Sequence, residues 1–339
     1  MRTMMATHEQ LNAVWSAIDL ESGELPGTYQ RRIADSGTLA CYASLVRPDG
    51  LRRFSVQVVA SACSHLAYVM GRGFELVVEH IAQQSEAILH LQERPGAGKA
   101  IFAILCADLI AVSRASSDVA LASALFCKRI GAWKRFFEAQ GDDGISRESY
   151  VGLWGELHAM ASMIAAGTPS PDALRAWLGP VGAPQDFSFG LRAVEVKTSV
   201  AAQMTEVHVS NAMQLDGSAL EALHLVCIHC EFRPSAGITM SVLRDRICAV
   251  LGGELSGSFL ETLLSRGLAN PDVAPWADWG FSVIREMAFV VDDSFPCIRI
   301  GDIPAGVVDL SYSVQLGACV AHRVDVASVL SAARFGEQA

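Results

Sequence analysis

The chain has 339 residues, 51% hydrophobic and 18% charged, with mean hydropathy +0.31 and formal net charge −10. It is too apolar for a disordered chain and long enough for two domains that each bury their own core. A membrane span is excluded too, because the apolar stretch 100–107 stops at Asp108 and the uncharged run 54–71 is interrupted by Gln57, His65 and several serines.

The opening stretch, MRTMMATHEQLNAVW, has no apolar core or small-residue cleavage site, so the sequence reads as cytoplasmic. Nine cysteines without framework spacing fit reduced, buried thiols. A short helix is predicted over 8–20, then a hairpin over 39–60 around the turn Arg47-Pro48-Asp49-Gly50. A strand pair follows at 74–78 and 87–92, then helices over 100–113 and 117–140, the second carrying AWKRFFEAQ. The glycine-rich turn 141–144 closes a first lobe, residues 1–145. The second lobe, 146–339, opens with Ser146 as an N-cap and a helix over 147–166. Strands are predicted at 186–189, 191–199, 206–210 and 223–230, helices at 241–251 and 257–266, strands at 281–291, 297–300 and 307–315, and a last helix after Asp325.

Charge divides unevenly: residues 1–145 hold 14 Lys/Arg against 15 Asp/Glu, and residues 146–339 hold 12 against 21. A protein that grips nucleic acid unaided usually presents a basic surface. The positive groups available here are Arg31 and Arg32, Arg52 and Arg53, and the segment with Lys128, Arg129, Lys134 and Arg135; each pair is equally well read as a solvated face.

In PQDFSFGLRAVEVKTS, strand alternation places Asp186 and Ser188 on one face of a hairpin and Phe187 and Phe189 on the other. Glu195 and Lys197 share a face of the returning strand, opposite Val194 and Val196. One side is then apolar while the other gathers two carboxylates and an ammonium. Crowded carboxylates repel, and a hard cation with oxygen ligands neutralises them best. Phosphodiester hydrolysis uses such a set, with a metal polarising phosphate and water and a lysine meeting developing charge. A bare Glu-x-Lys on a solvated strand is far commoner than a nuclease motif, so the neighbouring helix matters. In GLWGELHAMASMIAAG, a turn of about 100° per residue puts Gly152, Gly155, Glu156 and Ala159 on one small-residue face. That face can approach a sheet closely, and Glu156 borders the apolar stripe Leu153, Leu157, Met160 and Ile164. A buried carboxylate needs a partner, either an arginine elsewhere or a metal-linked site.

GLWGEL, a Trp-Leu-Gly-Pro segment, Asp186 in PQDF, EVKTS and Asn211-Ala-Met-Gln214-Leu215, in that order, resemble the bacterial PD-(D/E)xK motif proteins encoded in phage-defence neighbourhoods. The likeness extends over nearly the whole chain. It implies an α/β (α+β overall), restriction-endonuclease-like mixed sheet flanked by helices, after an N-terminal β-rich and helical lobe. It implies Asp186, Glu195 and the helix-borne acid Glu156 as residues that hold Mg2+ or Mn2+, and Lys197 as catalytic. Gln214 either contacts the site or DNA, or caps the following turn. Gln185 departs from the pattern by separating Pro184 from Asp186; proline there shapes a turn and does not react. The implied partners are DNA and other defence subunits or a second copy of the chain, with no membrane.

Two other motifs point elsewhere. Gly96-Ala97-Gly98-Lys99 lacks the earlier glycine of a phosphate loop, where Glu93 stands, and Ala100 replaces the magnesium-binding Ser/Thr. His224, Cys227, His229 and Cys230 alternate along an apolar strand without a second pair at zinc spacing. No Gly-x-Ser-x-Gly elbow supports a serine hydrolase. Three function classes remain: a DNA endonuclease of restriction or phage defence, a nuclease-like structural or DNA-positioning subunit without independent activity, and a small-phosphoester hydrolase.

Overall fold

The computed structural model describes residues 8–331 and 333, apart from 24, 65, 67–68, 71–72, 82–84, 95–98, 115, 140–144, 275 and 308. The turn expected at 141–144 and Gly96-Ala97-Gly98 therefore lie outside the described residues. The chain divides into two compact units, Met1–Gly144 and Ile145–Ala339.

The first unit runs α1 (His8–Ser22), β1 (Gly27–Arg32), β2 (Cys41–Arg47), β3 (Leu51–Val59), β4 (Val69–Met70), β5 (Phe74–His80), β6 (Glu86–Glu93), α2 (Lys99–Ser113) and α3 (Val119–Ala139). Its six strands form one antiparallel sheet in the order β1-β2-β3-β6-β5-β4. Period-two alternation buries Phe54, Val56 and Val58 of β3 and Ala87, Leu89 and Leu91 of β6 on one face. Consecutive residues from Phe102 to Cys106 of α2 are all buried, so that helix is covered on every side there. Phe54 stacks on Phe126 of α3 at 6.4 Å and Trp15 of α1 meets Phe102 at 5.8 Å.

Several of this unit's positive charges already have partners within it. Arg129 and the Trp133 indole both donate to Asp108, and Arg52 lies over the Trp15 ring and bonds Asn12. Arg53 bonds Gln92, Arg31 pairs with Glu21, and Lys134 pairs with Glu138.

The second unit contains α4 (Arg147–Ala165), α5 (Ser170–Ala176), β7 (Phe187–Phe189), β8 (Arg192–Ser199), β9 (Glu206–Val209), β10 (Ala222–Pro234), β11 (Ile238–Thr239), α6 (Met240–Leu251), α7 (Gly253–Ser265), β12 (Trp279–Val290), β13 (Tyr312–Gln315), β14 (Arg323–Val324) and α8 (Val326–Ser331). The main sheet has the order β11-β12-β10-β8-β7, with β14 also beside β12, while β9 and β13 form a separate pair. β8 and β10 are parallel and the other pairs of the main sheet antiparallel, a mixed sheet with helices packed on it. Ser146 caps α4 by accepting from the Ser149 N–H at 3.1 Å.

The sheet carries a core on each face. Val194, Val196, Phe187, Val226 and Ile228 pack with α4 residues Leu153, Trp154 and Met160. Ala193, Leu225 and Cys227 pack the opposite way with Val207, Val209, Val314 and Cys319. The near-continuous apolar run of β10 follows from burial on both faces.

Two expected strands change. Residues 297–300 are not a strand: Pro296 precedes them, and the Ile298 and Ile300 N–H groups bond the Tyr312 hydroxyl and Asp216 carboxylate instead of a ladder. The expected strand over 307–315 shortens to β13, after the turn at Pro304-Ala305-Gly306. β1, α5 and the two-residue strands β4, β11 and β14 were not expected. β1 is an exposed edge without alternation, and α5 is seven residues, under two turns and shorter than the window in which an apolar period can be read. Cys227 and Cys230 enter opposite cores, and His229 bonds the Ala201 carbonyl at 2.8 Å, so these side chains do not converge.

Candidate active site

β8 sets the site, because its alternation points Val194 and Val196 towards α4 and Glu195 to the other side. That second side is not an open polar face: Ala193 belongs to a core, and Glu195 is 1% exposed. Asp186 lies one residue ahead of β7, and its Oδ2 accepts from the Val196 N–H at 2.8 Å. The carboxylate so takes over the ladder where β7 has not yet begun. Its main-chain carbonyl accepts from the N–H groups of Leu178 (2.8 Å) and Gly179 (3.1 Å), which anchors the Trp-Leu-Gly-Pro segment beside it.

α4 reaches this hairpin through its small-residue face. A Cβ built at Gly155 would lie 1.7 Å from Thr198 Oγ1, so only glycine allows the approach. One turn position further, Glu156 is buried at 5% exposure. Gly179 separates Glu156 from Asp186: a Cβ there would lie 2.9 Å from Asp186 Oδ1 and 3.2 Å from Glu156 Oε2. The two carboxylates therefore flank one small space lined by a glycine.

Lys197 is gripped from two sides, its Nζ 2.8 Å from Glu195 Oε1 and donating to Gln214 Oε1 at 2.9 Å. Gln214 sits in a 3₁₀ turn, Ala212–Leu215, capped by the Asn211 side chain, within the crossover from β8 to its parallel neighbour β10. Its Oε1 also accepts from the Ser210 N–H (3.1 Å) and hydroxyl (3.2 Å), so it holds the turn and the lysine together. The main chain that Gln214 bonds is that of Ser210, ahead of it in sequence and not in the following turn.

The electrostatics follow from crowding. Burial first, then the Glu195 and Glu156 charges, hold the Asp186 carboxyl well above its ordinary range, against the Val196 hydrogen bond and Lys197. Burial pushes Glu195 up to about 7, with Glu156 adding to the rise and Lys197 opposing it. Glu195 Oε2 is buried with no hydrogen-bond partner among the described residues. An orphaned carboxylate oxygen beside a second carboxylate suits a hard divalent cation, so Asp186 and Glu195 fit as its holders. Glu156 is engaged otherwise: Trp177 Nε1 donates to Oε2 and Arg266 Nη2 to Oε1, both at 2.7 Å. Among the described residues no three His, Cys, Asp or Glu side chains are spaced to hold a metal ion together.

A family model described as "Putative PD-(D/E)XK family member, (DUF4420)" matches residues 11–317, most of the chain. The chain belongs to that family. Neither curated proteins nor solved structures gave a match. Membership in the PD-(D/E)XK family makes the chain nuclease-like, and its mixed α/β fold accords with a restriction-endonuclease-like core. Of the residues expected at the site, Asp186, Glu195, Lys197 and Gln214 are linked by the contacts above, with Glu156 beside Asp186 across Gly179. Sequence reading missed Gly179, Trp177 and Arg266. Gly179 and Trp177 lie in the Trp-Leu-Gly-Pro string, which by itself carries no role, and Arg266 has no local signal.

Proposed function

We propose that the second unit is a divalent-metal-dependent nuclease that hydrolyses DNA phosphodiester bonds, acting from the cytoplasm in restriction or phage defence. The observation that carries this reading is the pairing of buried Asp186 and Glu195, one of whose oxygens is orphaned, with a lysine fixed between Glu195 and Gln214. A Mg2+ or Mn2+ ion held by Asp186 and Glu195 would polarise the phosphate and lower the pKa of a bound water.

Lys197 uses two of its three N–H bonds on Glu195 and Gln214. The third orients the attacking water or meets charge developing on the phosphate oxygens. Gln214 keeps Nζ at that position through its own bonds to Ser210. The phage-defence setting rests on the resemblance in motif order. DNA as substrate rests on the family and is tested directly: purified protein is incubated with plasmid, synthetic RNA and a chromogenic phosphodiester, with Mg2+, Mn2+ or EDTA. Metal-dependent nicking of the plasmid supports the reading. No hydrolysis of any substrate favours the second reading, a nuclease-like subunit that positions DNA for a partner, for which the engagement of both Glu156 oxygens speaks.

A further inference from the structure

Glu156 stands next to two carboxylates but spends its hydrogen bonds on neither a ligand position nor solvent. Its side chain is 7% exposed, and its partner Arg266 is 26% exposed and at the C-terminal cap of α7. The backbone N–H of Arg266 bonds the carbonyls of Thr262 and Leu263, so the guanidinium hangs from a fixed point. The same helix steadies the second donor: Phe259 of α7 packs against Trp177 at 6.0 Å, and Trp177 pairs with Phe187 as an isolated β-bridge.

We propose that Arg266 is a positioning residue of the site, which with Trp177 holds Glu156 as a charge-balanced carboxylate and keeps it from becoming a third metal ligand. This rests on the metal-dependent reading above. The charges give the reason. Glu156, Asp186 and Glu195 face Lys197 and Arg266, so the ionised site is one charge short of neutral, and a divalent cation leaves it positive towards a phosphodiester. Without Arg266 the loaded site would be neutral and would lose that attraction. A paired Glu156 also resists recruitment, because breaking a buried charge-assisted pair leaves an uncompensated arginine.

The test is calorimetric titration of the full chain with Mn2+ alone at pH 8. Arg266→Gln leaves an unbalanced carboxylate beside the cation, and the expected result is about tenfold tighter Mn2+ binding, the size expected of one nearby charge. Arg266→Lys, which keeps the charge, is expected near wild-type affinity. The double variant Glu156→Gln/Arg266→Gln removes a neutral pair and no ligand, so it too is expected to bind Mn2+ as the wild type does. A merely structural role would weaken binding in the single variant. Unchanged or weaker binding by Arg266→Gln, or loss of affinity in the double variant, overturns the proposal; should the single variant not fold, the double variant decides. Mn2+ binding that is abolished by Asp186→Asn but indifferent to Arg266 sinks this inference alone. No Asp186-dependent binding in the wild type sinks the metal-dependent reading and the inference together.

Discussion

Glu195→Gln removes a carboxylate that the folded protein ionises only with difficulty. In the fold this group takes up its proton at about 7 instead of its ordinary 4.5, because burial disfavours the charge more than Lys197 favours it. At pH below 4.5 both folded and unfolded chains carry the proton, and the stability linked to it is fully present. As pH rises through about 7 the unfolded chain has already ionised and the folded chain must follow, so that stability is lost. A difference of this size corresponds to roughly 3 kcal/mol, or roughly 6–12 °C in Tm for a domain of this length. The assay is thermal unfolding of wild type and variant in EDTA from pH 5 to 8.5. Wild type is expected to lose stability relative to Glu195→Gln across that range, and Mn2+ at pH 8 to return it to wild type only. Because burial and the Glu195 charge also raise the neighbouring Asp186 carboxyl, Asp186→Asn should also flatten the curve. Parallel wild-type and variant curves would show that Glu195 is not held in a carboxylate-hostile site and would refute the reasoning.

Asp186→Ala and Lys197→Ala are expected to abolish plasmid cleavage while keeping a cooperative melt, the relief of carboxylate repulsion in Asp186→Ala being offset by loss of the Val196 N–H bond; wild-type rates in either would contradict the site. Mg2+ or Mn2+ should support turnover, Ca2+ should bind but catalyse poorly and Zn2+ should not substitute, an order that activity in EDTA would exclude. Gly155→Ala should cost at least about 1–3 kcal/mol by forcing α4 from β8, and Thr198→Ala should recover part of it; chemical denaturation measures both. Finally, the second unit's 21 acidic against 12 basic residues over 146–339, and the internal pairing of Arg52, Arg53 and Arg129, predict weak DNA binding that falls steeply with salt. Fluorescence anisotropy of Lys197→Ala on a duplex tests this, and binding on the order of nanomolar at physiological salt would show that no further subunit is needed.

What could be read along the chain was parity and close approach. The Val-Glu-Val-Lys alternation told which residues of β8 share a side, and Gly155 marked where α4 touches that strand, whereas a side chain at Gly152, expected on the same face, would meet open space. These are local properties, set by backbone geometry over a few residues. What covers each side was decided elsewhere. The side of β8 expected to be polar is sealed by β9, β13 and Cys319, and that burial raises the Glu195 pKa. Arg266, 110 residues from Glu156, meets its carboxylate because α7 packs near α4, and Trp177, 21 residues from it, because α5 packs on α4. Lys197 finds Gln214 because the crossover to β10 holds a short 3₁₀ turn capped by Asn211 instead of an α-helix. Periodicity carries the direction of a side chain, but the charge and solvent it meets belong to segments distant in sequence, and only the packed chain brings them to it.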